Sequence, residues 1–224
     1  MEKIVIFGIG NIAEVAYTYI TNDSEYEIVA FTVDKEYLTK NKLFNLPVIP
    51  FDELENLYPP KDYKIFAAIG YHDLNRIRQK KYEEVKNKGY ELISYVSSKI
   101  SNFGNVEIGD NCFILEDNVL QPFAKIGNNV TLWSGNHIGH HSTIEDHCFI
   151  TSHVVISGKS TIKQNCFIGV NSTIGHEITI GKNNFIGAGC LITKNTENKS
   201  VFITKDTEKF RIDSDRFIKF SKIK

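Results

Sequence analysis

The stretch that decides the fold runs from residue 108 to residue 192: IGDNCFILEDNVLQPFAKIGNNVTLWSGNHIGHHSTIEDHCFITSHVVISGKSTIKQNCFIGVNSTIGHEITIGKNNFIGAGCLI. An aliphatic side chain recurs in it every six positions without a slip, at Ile108, Ile114, Leu120, Ile126, Leu132, Ile138, Ile144, Ile150, Ile156, Ile162, Ile168, Ile174, Ile180, Ile186 and Ile192. A helix asks for apolar residues three or four apart and a half-buried strand for every second one, so a strict period of six fits neither. It fits the hexapeptide repeat of a parallel β-helix, in which each unit supplies a short strand and a corner and three units close a triangular coil. Coils then stack at the strand spacing of about 4.8 Å.

A second register supports the first. The residue two before each aliphatic beat is mostly small or branched, as at Cys112, Ala124, Val130, Ser142, Cys148, Val154, Ser160, Cys166, Ser172 and Cys190, with asparagine at 118, 136 and 184. Such residues suit an inward position near a corner. Glycine follows the beat at 109, 127, 139, 169, 175, 181 and 187, where a corner needs either an unusual dihedral or a close backbone approach. All four cysteines fall on the inward register, which accounts for them without chemistry. Cys148 and Cys166 lie one coil apart, within reach of a disulfide, but a reducing compartment keeps such thiols free.

The net charge of −1 gives no electrostatic case for nucleic acid or a membrane surface, both of which favour a basic excess. The opening MEKIVIFGIG is too short and too glycine-broken for a signal segment, and no stretch reaches membrane-spanning length, so the expected location is cytoplasmic.

Ahead of the repeat, Lys3 to Phe7 is a short buried-type strand followed by Gly8-Ile9-Gly10-Asn11-Ile12-Ala13 and a helical pattern through Ile20. A GxGxxA turn between strand and helix lets backbone N–H groups approach a pyrophosphate; otherwise it is only a tight turn. A second strand, Tyr26 to Val33, ends in Asp34, near the spacing at which an acid meets the sugar or base of a nucleotide. Phe51 to Tyr58 reads as a short helix and Tyr63 to Ile69 as a third strand closed by Gly70. Tyr71, His72 and Asp73 follow on the loop where open α/β sheets bind ligands. Leu74 to Lys88 reads as a helix carrying Arg76, Arg78, Lys80 and Lys81 near its start; Arg76 is the one expected to meet a phosphate, the others a solvated face. A fourth strand, Glu91 to Val96, leads into the repeat.

The expected organisation is therefore an α/β half-Rossmann domain at 1–96, a β-helix at 97–204 and a capping tail at 205–224. With some four strands the first unit is one mononucleotide-sized half, small for NAD and better sized for a nucleoside diphosphate carrying something else.

Six of the seven histidines lie in the repeat: His137, His140, His141, His147, His153 and His176. His140 and His141 follow the Ile138 beat at a corner, and His140, Gly158 and His176 form a column expected to span about 10 Å over two coils. A histidine beside a glycine-lined groove suits a general base for an amine or hydroxyl nucleophile. His147, and less firmly His137 and His153, read as polar corner residues. A metal site is the competing reading, since three converging histidines would suit zinc.

The glycine turn, the acid after the second strand, the uninterrupted repeat and the string Trp133-Ser-Gly-Asn-His-Ile-Gly-His-His141 together resemble the sialic-acid O-acetyltransferase-like sugar acyltransferases. Relatives in that family include bacillosamine, perosamine and viosamine N-acetyltransferases. The resemblance implies a left-handed β-helix, a homotrimer with active sites between neighbouring prisms, acetyl-CoA as donor, no metal, and a nucleotide-linked amino sugar as acceptor in surface-polysaccharide or glycan precursor synthesis. By position it makes His140 the catalytic histidine, and His141 beside it is the second catalytic candidate. Gly10, Asn11 and Ile12 match its glycine-turn contacts and Asp34 an acid that reads the base; with Gly8, Gly70, Tyr71 and Arg76, placed at the strand ends and helix start, they are the expected substrate contacts. Gly158, Val170 and Ala188 are expected along the CoA groove. Three positions depart from the family pattern: His141 stands where an acid often follows the catalytic histidine, Asn11-Ile12 replaces a Gly-His pair, and Thr204-Lys-Asp-Thr-Glu-Lys209 replaces a Gly-x-Pro-Ala-Lys ending. An amino-sugar N-acetyltransferase is the favoured reading, on a 4-amino-4,6-dideoxyhexose linked to dTDP or UDP, with GDP as another carrier. An O-acetyltransferase, a zinc-dependent lyase or hydratase, and a non-catalytic nucleotide-responsive assembly protein are the alternatives.

Overall fold

The structure is a computed structural model and describes residues 1–221. From Tyr95 onward the chain winds into a three-sided parallel β-helix whose strands are two residues long and pair with residues eighteen away, Ile138 lying between Leu120 and Ile156. One face stacks the strands at 101–102, 119–120, 137–138, 155–156, 173–174 and 191–192. The second stacks 107–108, 125–126, 143–144, 161–162 and 179–180, and the third runs from 95–96 to 201–202. Every beat residue from Ile114 to Ile192 is buried, and Ile108 packs partly against the same core.

Room is only half of why the inward register holds small residues. Cys112, Cys148 and Cys166 donate to the carbonyls of Gly127, Lys163 and Gly181, while Ser142, Ser160 and Ser172 donate to those of Ser157, Gly175 and Gly187. Asn118 reaches Trp133 in the same way. Each acceptor lies fifteen residues on, so thiol, hydroxyl and amide serve one purpose: they satisfy a buried corner carbonyl of the next coil.

The corners are turned by the residue three after each beat. All fourteen such positions from Asn111 to Gly189 have positive φ. Asparagine, aspartate and histidine tolerate that conformation better than most residues, which explains their frequency there. The glycines directly after the beat are not left-handed; they answer the close approach instead. A Cβ at Gly139 would stand 2.4 Å from the backbone nitrogen of Gly158.

The N-terminal unit has a sheet in the order β3-β4-β2-β1-β5, with β1 Lys3–Phe7, β2 Glu27–Val33, β3 Lys42–Leu43, β4 Leu46–Pro50 and β5 Lys64–Ala67. All pairings but β3 with β4 are parallel. Helices α1 (Asn11–Asn22), α2 (Leu54–Leu57) and α3 (Arg76–Asn87) complete it. The expected fourth strand at 91–96 is divided between two structures: Leu92 bridges to Ile65 of β5, whereas Tyr95–Val96 pairs with Phe113–Ile114 as the first strand of the third β-helix face.

At the far end Val201–Phe202 extends the third face beside Phe185–Ile186, and Thr204 donates to the Ala188 carbonyl. Helix α4 (Ser214–Ser221) leaves Phe217 and Ile218 exposed. Of the tail expected at 205–224, residues 222–224 lie outside the described ones.

Candidate functional site

The chain passes from β1 to β2 and β4 on one side, then to β5 on the other, so the carboxyl ends of β1 and β5 flank a topological switch point where such sheets bind ligands. A cleft of about 570 Å³ lies there, lined among others by Gly8, Gly10, Asn11, Ile12, Asp34, Gly70 and Tyr71. Gly8 holds φ +122°, and a Cβ there would stand 2.8 Å from the Ala68 carbonyl oxygen, so only glycine fits. Gly10 is extended and faces open space at the start of α1, where free N–H groups favour an anion.

Arg76 does not join the expected contacts. It is exposed, outside the cleft lining, and paired with Asp73 at 2.6 Å. Lys81, expected on a solvated face, occupies the cleft: its Nζ lies 2.8 Å from Asp34 and 2.6 Å from Glu84. Burial alone would lower the pKa of this ammonium, but the hydrogen bonds to Asp34 and Glu84 carry it above the ordinary lysine value. Ile77 also lines the cleft, and the four-residue spacing of 77 and 81 puts both on one helix face, the signal that could have marked Lys81.

Arg78 is the larger correction. Its guanidinium is 1% exposed and donates to the carbonyls of Asn129, His147 and Cys148, to Thr131 Oγ1 and to Asn75 Oδ1. Burial lowers its pKa to about 10, which still leaves it charged at neutral pH. It clamps α3 to the third face of the β-helix. Asn75 adds a hydrogen bond to the Cys166 carbonyl, and Tyr71 rests against Phe149 and Phe167 of the same face. The cleft is thus seated on that face. His147, read as a corner residue, is buried beneath α3, hydrogen-bonded to Asn129 and edge-on to Tyr82.

His140 and His141 stand exposed at the corner leaving the first face. The His140 ring lies over Gly158, where an added Cβ would come within 2.6 Å of its Nε2. Its Nδ1 is 3.1 Å from His141 Nδ1, and its backbone N–H donates to Gln121. His176 approaches to 6.2 Å between ring centres, closer than the two-coil column predicts. Val170 and Ala188 lie elsewhere, on the corner entering the first face, after the strands 167–168 and 185–186. The first face separates the two corners, so one prism alone does not bring Gly158 together with Val170 and Ala188. Among the described residues no three His, Cys, Asp or Glu side chains converge as a metal would need, and no helix is long and apolar enough to cross a membrane.

Two family descriptions match the chain in order. The PglD N-terminal domain matches residues 3–85, and the bacterial transferase hexapeptide of six repeats matches 105–139, 123–158 and 159–194. No curated protein sequence matches at a significant level. Among solved structures, a variant of perosamine N-acetyltransferase from Caulobacter crescentus in complex with CoA and GDP-perosamine is 18% identical, with a TM-score of 0.79 over 90% of this chain and 93% of that one. The acetyltransferase domain of PglB from Neisseria gonorrhoeae in complex with acetyl coenzyme A is 22% identical, with a TM-score of 0.79 over 89% and 95%. WeeI from Acinetobacter baumannii is 18% identical, with a TM-score of 0.69 over 90% and 96%. At these identities the likeness establishes the fold, an α/β domain followed by a left-handed β-helix. With both halves matched in sequence, the chain belongs to the hexapeptide-repeat proteins that carry a PglD N-terminal domain, the sugar acyltransferase family its motifs resemble.

Proposed function

We propose that this protein is an acetyl-CoA-dependent N-acetyltransferase of a nucleotide-linked amino sugar, working as a homotrimer with its active sites shared between prisms. The observation that carries this reading is the separation of the two corners by the first face. That face bears the exposed apolar side chains Val155, 38% accessible, and Leu191, 68% accessible, while the third face is covered by the N-terminal domain as far as Phe167 and the second is charged or rich in threonine. Turning the first faces of three prisms toward a common axis sets the His140 corner of one chain beside the Val170 and Ala188 corner of the next. The nucleotide cleft of that next chain, seated on its third face, then opens onto the same groove. Complexes of CoA and GDP-perosamine, and of acetyl coenzyme A, with proteins of this fold support both ligand classes.

In this arrangement the sugar amine attacks the thioester carbonyl. His140 Nε2 takes the amine proton as the C–N bond forms, then delivers it to the departing sulfur as the C–S bond breaks, leaving amide and free CoA thiol. Backbone N–H groups of the coil steady the oxyanion, and holding both substrates in one groove supplies much of the rate. In the nucleotide cleft, Asp34 offers an acceptor beside the Lys81 donor. That pair complements an edge with N–H next to C=O, which uracil, thymine and guanine present and adenine and cytosine lack. A 4-amino-4,6-dideoxyhexose on dTDP or UDP remains the favoured acceptor, with GDP admitted by the same edge.

The test is mass spectrometry of products after incubation with acetyl-CoA and a panel of dTDP-, UDP- and GDP-linked amino sugars. One acceptor gains an acetyl group, and His140→Ala loses about 10²- to 10⁴-fold in rate. Acetylation undiminished in the variant would remove His140 from its role, and no acetylation of any sugar would overturn the reading.

A further inference from the structure

We infer that His141 is a positioning residue that sets the tautomer of His140: its unprotonated Nδ1 accepts the His140 Nδ1–H, leaving His140 Nε2 with a lone pair over the Gly158 gap. The two Nδ1 atoms are 3.1 Å apart, and one of them must donate for the contact to hold. Were His141 the donor, His140 would carry its proton on Nε2, the atom nearest the gap, and could take no proton there. Only the opposite arrangement makes a base. In a histidine the hydrogen bond made by one ring nitrogen decides the state of the other. When His140 gains its second proton, the Nδ1–H becomes a charge-assisted donor to the same partner and the contact strengthens.

The surroundings hold His141 for this task. Its backbone is left-handed, at φ +58°, its N–H donates to the Pro122 carbonyl, and its ring packs on Phe123 at 4.7 Å between centres. No other side chain among the described residues hydrogen-bonds either His140 ring nitrogen. Gln121 is spent on the His140 backbone N–H, and Glu177, the nearest carboxylate along the corner, pairs with Lys159 and His176. The tautomer is therefore set by His141 or by nothing within the chain.

The structural claim stands on this geometry; its catalytic consequence rests on the acyl-transfer reading above, and two measurements separate them. The left-handed backbone makes the choice of variant. Glycine accepts that conformation without strain and removes the acceptor, whereas asparagine also tolerates it and places Oδ1 where His141 carries Nδ1. Nitrogen-15 NMR of the full-length protein labelled at histidine, above roughly pH 8 where imidazoles are neutral and assigned with His140→Asn, reports the tautomer whether or not any acceptor is known. His140 is expected as the Nδ1–H form, shifting toward the Nε2–H form in His141→Gly and returning in His141→Asn. An Nε2–H form in the unaltered protein, or no shift in His141→Gly, would overturn the inference. In the transfer assay His141→Gly lowers kcat by about 10-fold or more with both KM values unchanged, and His141→Asn recovers most of it. A normal kcat in His141→Gly would deny the tautomer any part in catalysis. Absence of transfer in the unaltered protein counts against the proposed function alone, since the spectra still decide the tautomer.

Discussion

The β-helix and the α/β domain bury polar groups by opposite means. In the β-helix a corner carbonyl is answered by a side chain fifteen residues earlier, and the same answer is repeated coil after coil with serine, cysteine or asparagine. In the α/β domain the largest buried polar group, Arg78, is answered once, by a set of carbonyls found only across the domain boundary. Its Nε has no partner among the described residues. A repeated answer spreads the cost of an error over many equivalent contacts, whereas a single answer concentrates it. The β-helix should therefore tolerate local damage that the docking of the α/β domain does not.

The sharpest way to break that contrast is Arg78→Met, which keeps the aliphatic stem and removes the guanidinium. Three carbonyls lose their donor, and the expected loss is about 3–5 kcal/mol, the range for deleting one side of a buried charged network. Hydrogen exchange should show α3 unprotected while the coils from Ile156 to Ile180 stay closed; equal loss along the whole chain would mean that the two regions unfold together. A smaller effect tests the repeated answer. Ser160 donates to the Gly175 carbonyl and accepts from the Ile178 N–H, so Ser160→Ala should cost about 1–3 kcal/mol in urea unfolding. Ser160→Cys should recover most of it, because thiols already do this work at 112, 148 and 166; if alanine and cysteine are equally poor, the shared role of the register is wrong.

The smallest effect lies where the regions join. Asp23 Oδ2 accepts from the Ser98 N–H and the hydroxyls of Tyr95 and Ser97. Hydrogen bonds from Ser98 and Tyr95 hold its carboxyl well below the usual carboxylate range. A group depressed in the folded state contributes fully above its unfolded value, about 3.9, and loses that contribution as the pH falls toward the folded one. Asp23→Asn should lower the thermal midpoint at pH 7 by about 2 °C, and the gap should narrow as the pH drops from about 4 toward 2. A gap that does not change with pH would show that the charge of Asp23 plays no part.

Most of the β-helix was legible because its period exposes both registers at once, down to which side chains point inward. The left-handed corners were less so: they are set by backbone conformation, and Phe123, Lys159 and Glu177 adopt it without belonging to the residue types that favour it. In the α/β domain the glycine turn, Asp34 and Tyr71 were legible because strand ends declare themselves. Arg78 was not, since a helix with four basic residues in six positions reads as solvated on every side. Yet 78, 82 and 85 follow the spacing of a buried helical stripe, and an arginine in line with Tyr82 and Val85 was the available sign. The β3–β4 hairpin was missed because Phe44 occupies the first left-handed position of its two-residue turn, where Asn or Gly would have announced it.

The eighteen-residue pairing also makes the prism a gauge. Equivalent positions on one face differ along the axis only by whole coils, about 4.8 Å each. The docking coil at Asn129 and His147 and the corner at His140 are therefore held at fixed graduations. Lengthening the chain by one coil beyond Ile192 would leave the spacing between the cleft and His140 untouched, whereas a coil inserted between Asn129 and His147 would pull apart the carbonyls that together hold Arg78. Under the proposed function, a change in the size of the accepted sugar is then expected to come from the α/β loops, because each face of the prism has no intermediate marks.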